Sequence, residues 1–333
     1  MKLKSPITML KEASVLVKYA YRVEEGENVL VLSDDEHMQE ALALASAVRA
    51  VDAVPVVMNI SSSVLDGMLA PGIPEAPKHV AAAVENADVT MISTVIDYAH
   101  RFAHTAAVKR GVEHMARIAS VEEGLGSWGL TEDDIRQVHE RTLKLSNALK
   151  NANKIHATTK FGTDITLSIK GRPPLIVTPI REKGVSMGPL PLWGELTYAV
   201  VEDSANGKIV VDGLMNVVAP TGFKQPIEIL VKNGKAYEIK GGEEATKLRN
   251  IIEKGDKGAN VVAEFAVGTG HKEITGTLQE KGRLGTMHIA LGDNSRAYPG
   301  GQNVSSSHID SLMRSPTVEV DGKLLIKDGN WVF

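Results

Sequence analysis

The placement of glycine constrains this chain more than any other feature. Of its 30 glycines, 7 lie between Met1 and Gly129 and 23 between Gly162 and Gly329. Glycine weakens helix and strand interiors but supplies the positive φ angles of tight turns. The two halves must therefore be built differently, one on helices and the other on short strands joined by turns. The length of 333 residues agrees, since single cores stop growing at about 250–300 residues.

In the first half, Asn28–Ser33 is a short apolar run after Gly26 and predicts a buried strand, with a helix from Glu36 to Arg49 behind it. Val54–Ile60, Val89–Val95 and Arg117–Val121 predict further strands, with a helix over His79–Glu85. Strands alternating with helices imply parallel β-α-β units in a Rossmann-like sheet. A long helix closes this half: Thr131 and Asp134 form a capping signature, and Ile135, Val138, Thr142, Leu145 and Leu149 share one face. The expected fold is α/β, with a Rossmann-like parallel-sheet domain over residues 1–152 and a β-rich α+β metal-binding domain over 153–333.

The second half carries three hairpin signals. Asn206-Gly207 lies between Thr197–Val201 and Ile209–Val211, Asn233-Gly234 between Ile227–Val231 and Ala236–Ile239, and Asp321-Gly322 between Thr317–Val320 and Leu324–Ile326. One helix is expected over Glu243–Glu253.

Composition narrows the partners. A net charge of -4 gives no footprint for nucleic acid or an anionic membrane. The opening stretch has no continuous apolar core with a cleavage site, and Ala41–Ile60 is interrupted by Arg49, Asp52 and Pro55. A cytoplasmic protein that binds neither nucleic acid nor membrane is expected. Cysteine is absent, so any metal must be held by His, Asp or Glu.

Gly124-Leu-Gly126-Ser-Trp-Gly129 matches the G-x-G-x-x-G dinucleotide pattern literally. That site needs the first strand before it and an acid about 20 residues after it. Here it follows the fourth expected strand, Ala148–Lys150 offers no acid, and Trp128 puts bulk where a pyrophosphate would approach. The motif reads as a turn.

The chemistry gathers near the C-terminus. His308 and Asp310 are i and i+2 and would share a strand face, with His288 at the head of another apolar segment. Glu264 interrupts Val261–Val267, and a carboxylate buried there would be costly unless paired or metal-bound. Glu195 sits where a Pro-rich loop turns into a strand. These five residues suit a divalent-metal site in an enzyme. Taken singly they also allow hydrogen-bonded core histidines and a solvent-facing edge carboxylate at Glu264.

The order Gly-Glu195, Ala205-Asn206-Gly207, Ala263-Glu264 with Gly268-Thr269, His288-Ile-Ala-Leu-Gly292 and His308-x-Asp310 resembles the thermophilic aminopeptidases, aminopeptidase T and its relatives of peptidase family M29. The resemblance implies a homodimeric two-metal exopeptidase that uses zinc or cobalt to hydrolyse N-terminal residues from small peptides. Glu195, Glu264, His288, His308 and Asp310 would be its ligands. Glu264 or Glu195 would bridge the metals or accept the proton of the metal-activated water, and Tyr298 would donate its hydroxyl to the tetrahedral intermediate. One position departs. The family carries a carboxylate five residues before the His of His-Ile-Ala-Leu-Gly, whereas Arg283 stands here, with Glu280 nearby; Lys281-Gly282-Arg283 reads as a solvated turn. The scaffold is also similar to dihydroxypyridine ring-cleaving dioxygenases, which use one iron held by two His and one carboxylate. His308, Asp310 and either His288 or His271 would then serve. A non-catalytic protein with a metal-like pocket is the third possibility.

Overall fold

The computed structural model describes residues 5–68, 75–95, 98–99, 102, 105–271 and 276–333. Residues 1–4 of the opening stretch lie outside them. The chain divides into two compact units: Met1–His139 with Thr178–Trp193, and Glu140–Val177 with Gly194–Phe333.

The first unit is the expected α/β layer. Strands Asn28–Ser33, Val54–Asn59, Val89–Ser93 and Arg117–Val121 form as the apolar runs predicted, and all pair in parallel. Helices Met38–Arg49 and Lys78–Glu85 connect them. A fifth strand, Val185–Leu190, adds in parallel beside Arg117–Val121. This corrects the expected division after residue 152. Thr178–Trp193 lies far along the chain but closes the first sheet, because the exposed edge of Arg117–Val121 leaves ladder groups that a strand satisfies.

The capping pair closes as expected: Asp134 Oδ2 accepts the backbone N–H and the hydroxyl of Thr131 at 2.8 and 2.6 Å. The helix Glu132–Ala148 follows, with Ile135, Val138, Thr142, Leu145 and Leu149 all buried.

The G-x-G-x-x-G loop is filled from within the protein. Glu12, buried on the helix Pro6–Val15, accepts the N–H groups of Gly126 and Gly129 at 2.5 Å each and of Leu130 at 3.3 Å. A Cβ on Gly126 would lie 2.6 Å from Met9 Cγ. The loop's amides thus bind a carboxylate of their own chain rather than a phosphate. Glu12→Ala would leave these donors without that partner, at about 1–3 kcal/mol for a buried group. We expect urea denaturation to report a loss of roughly 3 kcal/mol, and a loss below about 1 kcal/mol would contradict the tether.

The second unit is antiparallel. Eight strands, drawn from residues 154–168, 206–240 and 317–331, form one sheet. Five strands form the other, in the order His308–Arg314, Thr286–Gly292, Val262–Gly268, Glu195–Ala199, Leu175–Val177. One apolar cluster draws on both: Ile155, Ile165 and Ile229 from the first sheet, Leu196, Phe265, Ile289 and Ile309 from the second. The helix Glu243–Lys254 contributes Ala245 and Leu248 to it.

Two hairpins form as read. Asn233 and Gly234 have φ of 48° and 76° between Ile227–Lys232 and Lys235–Lys240, and Asp321 and Gly322 have 49° and 81° between Thr317–Val320 and Lys323–Lys327. Asn206-Gly207 does not. Both residues lie inside the strand Asn206–Val211, which pairs with Ile227–Lys232 and Asp164–Ser168. Gly207 is needed for close approach instead, since a Cβ there would sit 2.2 Å from the Asp164 carbonyl oxygen. No helix among the described residues is long and apolar enough to cross a membrane.

Candidate metal centre

Strand alternation sorts the five-stranded sheet into two faces. Leu196, Phe265, Val267, Met287, Ile289, Ile309 and Met313 enter the apolar core. Their alternates Glu195, Thr197, Glu264, His288, His308 and Asp310 share the opposite face. Register then supplies the room. Glu195 pairs across with Gly268, Glu264 with Ala199 and Ala290, Asp310 with Ala290, and His308 with Gly292. Small residues beside each charged one let the long side chains converge.

They converge as two groups that share Glu264. Glu195, Glu264 and His288 place ligand atoms within 4.8 Å of one another, and so do Glu264, His308 and Asp310. Glu264 divides its oxygens between them. Oε1 lies 3.3 Å from His288 Nε2 and accepts the Thr197 hydroxyl at 2.6 Å, while Oε2 lies 3.0 Å from His308 Nε2 and accepts the Tyr298 hydroxyl at 3.0 Å. Asp310 Oδ1 is 3.0 Å from His308 Nε2, and Glu195 Oε2 is 3.9 Å from His288 Nε2. The Tyr298 ring stacks on His308 with its hydroxyl 3.0 Å from Nε2.

This donor set fits a divalent cation. His308 Nδ1 faces the Asp293 carbonyl oxygen at 2.7 Å, and a carbonyl only accepts, so Nδ1 carries the proton. In the neutral ring Nε2 is then a bare lone pair facing two carboxylate oxygens at 3.0 Å, an arrangement that calls for a cation. Glu195 Oε2 and Asp310 Oδ1 are buried carboxylate oxygens with no hydrogen-bond partner among the described residues. Carboxylate oxygens and imidazole nitrogens suit Mn, Fe, Co or Zn.

The electrostatics follow from burial and crowding. Burial pushes the Glu195 carboxyl up to about 7, with Glu264 adding and His288 opposing. Burial works against ionisation of Glu264 too, but His288 and His308 hold its pKa below the ordinary value. Burial would lower both imidazoles, yet the facing carboxylates raise them, His308 well above its usual value. Asp310 is held well below the usual carboxylate range, where Lys281 and His308 outweigh burial.

All five expected ligands and Tyr298 thus meet on one face. His271 belongs to neither ligand group, and His288 belongs to the group without His308 and Asp310, so the two-His, one-carboxylate set expected for a single iron is not assembled; Glu264 stands where the second imidazole was expected. The solvated turn read at Lys281-Gly282-Arg283 is overturned: Arg283 is 2% exposed and the Lys281 side chain 12%. Lys281 is the cation at the site, with its ammonium on Asp310 Oδ2. Glu280 turns elsewhere, to an ion pair with Arg314, so it does not replace the missing carboxylate. Three partners escaped the sequence reading. Thr197 and Asn216 hold Glu264 and Asp310 by hydrogen bonds, the latter through the Asp310 N–H at 2.8 Å, and Lys281 is the third. Only the i, i+2 relation of Glu195 and Thr197 was readable as a hint.

The buried carboxylates and imidazoles on this α/β and antiparallel framework form a donor set of the kind with which enzymes hold a divalent ion. The model of a family described as NicX, 2,5-dihydroxypyridine 5,6-dioxygenase, matches residues 16–333, and the chain belongs to that family. No curated protein matches the chain. Among solved structures it is similar to 2,5-dihydroxypyridine dioxygenase from Pseudomonas putida KT2440, at 19% identity and a TM-score of 0.77, covering 98% of each chain. It is also similar to wild-type AmpT from Thermus thermophilus, at 17% identity and a TM-score of 0.72, covering 98% of this chain and 99% of that one. The likeness to AmpT is the one the ordered motifs announced, and the dioxygenase shares its fold.

Proposed function

We propose that the chain is a single-iron dioxygenase that opens a dihydroxylated nitrogen-containing aromatic ring, with 2,5-dihydroxypyridine the first substrate to try. The observation that carries this reading is the convergence of Glu264, His308 and Asp310 beside the Tyr298 hydroxyl, at the more open end of the site. The His308 side chain is 24% exposed against 1–2% for His288, Glu264 and Asp310. A set of three N/O ligands would leave an ion positions for a chelating substrate and dioxygen. Membership of the NicX family supports the same choice over peptide hydrolysis.

Iron(II), when bound, would relay electrons from the ring to dioxygen, the ring itself being the reductant. The chain's own residues prepare the place. Glu264, His308 and Asp310 would hold the ion, the Asp293 carbonyl fixes the His308 tautomer, and Thr197 fixes the Glu264 carboxylate. Tyr298, whose hydroxyl donates to Glu264 Oε2 at 3.0 Å, would donate instead to a ring oxygen or return a proton to the opened product.

One observation favours a second reading, the metallo-aminopeptidase. Glu264 offers one oxygen to each ligand group, as a carboxylate bridging two zinc or cobalt ions would. A metal-activated water would then attack the N-terminal peptide bond.

Oxygen uptake separates them. Loaded with Fe²⁺ and given 2,5-dihydroxypyridine, the protein should consume about one dioxygen per ring opened. An intact ring, together with release of N-terminal residues from unblocked peptides under Zn²⁺ or Co²⁺, would replace the first reading with the second.

A further inference from the structure

Lys281 is a buried cation that neither catalytic scheme uses. It belongs to the short helical turn Leu278–Gly282, and that turn is tied to the site's own sheet. The Gly282 carbonyl accepts the N–H groups of Gly194 and Gly270 at 3.3 and 2.8 Å, and the Lys281 carbonyl accepts the Thr286 hydroxyl at 3.1 Å. The lysine therefore reaches Asp310 from a fixed base. Its ammonium contacts Oδ2, leaving Oδ1 toward His308. Glu195 and Glu264 share the sheet face of Asp310, so the charge lies beside the carboxylate set.

We propose that Lys281 sets the metal count of the site at one, by holding the charge that a second divalent ion would otherwise supply. The argument is charge balance in a buried place. Glu195, Glu264 and Asp310 carry at most three negative charges, and the histidines are neutral when they act as ligands. One divalent ion and the lysine ammonium cancel them. A second divalent ion would leave an excess of two positive charges, which a buried site does not tolerate without counter-ions. Without the ammonium both groups become available.

The inference rests on the cluster being a metal site and deepens the single-ion reading, but its test does not use turnover. Metal-free wild type, Lys281→Met and Lys281→Arg are titrated with Co²⁺, with calorimetry and the visible cobalt bands as readouts. Wild type and Lys281→Arg should bind one ion per chain. Lys281→Met should bind two, the second at least 100-fold more tightly than to wild type. If Lys281→Met does not fold, Lys281→Gln, which keeps a donor toward Asp310 without the charge, carries the same expectation. Two ions on wild type, or one on the neutral variant, would overturn the proposal. An intact ring in the oxygen-uptake assay, with the counts one and two observed here, would remove the dioxygenase reading and leave Lys281's role standing.

Discussion

Glu264→Gln should lose divalent-ion binding by about 1,000-fold or more while the chain remains folded. Glu264 is the one residue common to both ligand groups, and it is 1% exposed. It faces both imidazoles and accepts the Thr197 and Tyr298 hydroxyls. An amide keeps the shape but replaces one oxygen by an NH₂ donor, so one group or the other loses its acceptor whichever way the amide turns. Removing one partner from a buried charge cluster costs about 3–5 kcal/mol, and 4 kcal/mol is roughly a thousandfold in affinity. Competition for Co²⁺ against a chelator would measure it, and an affinity within tenfold of wild type would refute the central place given to Glu264. The metal-free protein offers a second reading of the same contact. A carboxyl whose folded pKa is depressed contributes stability above its unfolded value, near 4.3, and that stability is lost as the pH falls. The stability gap between wild type and Glu264→Gln should therefore narrow toward acid.

What the sequence made legible was whatever short-range pattern determines. Asn28–Ser33 reads as a buried strand because a strand covered on both faces needs a continuous apolar run. Asn233-Gly234 and Asp321-Gly322 read as turns because their positive φ is a local demand. The same dipeptide at Asn206-Gly207 misled, since there glycine answers a contact with Asp164, 43 positions away in the chain, that no local pattern records. Long-range contact also explains the misplacement of Thr178–Trp193, whose strand finds its partner at Arg117–Val121.

The ligands were readable for two reasons. His308 and Asp310 stand two apart on a strand, and a buried Glu264 demands a partner. Lys281 was not, because Lys-Gly-Arg looks alike in a solvated turn and in one folded over a carboxylate cluster. Ties from Gly194, Gly270 and Thr286, all outside the Lys-Gly-Arg pattern, hold its turn against the sheet. Glu12 is the same kind of case: nothing near Gly124–Gly129 in sequence announces the carboxylate that occupies its amides.

Gly292→Ala should damage fold and site together, although position 292 carries no ligand. Gly292 ends the His288 strand and pairs directly with His308. Its φ is +115°, a conformation that L-residues rarely adopt, and a Cβ there would lie 2.1 Å from the Ser307 carbonyl oxygen. The clash is with backbone, so no side chain can swing aside. Nor can Gly292 itself retreat easily. Its N–H is held by Val261 at 2.8 Å and its carbonyl by the Asn303 amide at 2.6 Å. The strain must therefore pass into Ser307 and the adjacent His308, whose ring is set by Asp293 and stacked on Tyr298. Forced backbone of this kind costs on the order of 3 kcal/mol or more, a fall in Tm of about 4 °C or more in a chain of this size. Moving His308 by even 1 Å spoils the ligand group, so Co²⁺ affinity should fall as well. Gly322→Ala is the control. Its φ is +81° but nothing lies within 4 Å of the added methyl, so it carries backbone strain alone, about 1–2 kcal/mol, at a hairpin tip with no metal ligand. Thermal unfolding and cobalt titration of both variants would decide it. Equal losses of stability in the two, or a Gly292→Ala protein that binds Co²⁺ as wild type does, would show that the Gly292 contact does not hold His308 in place.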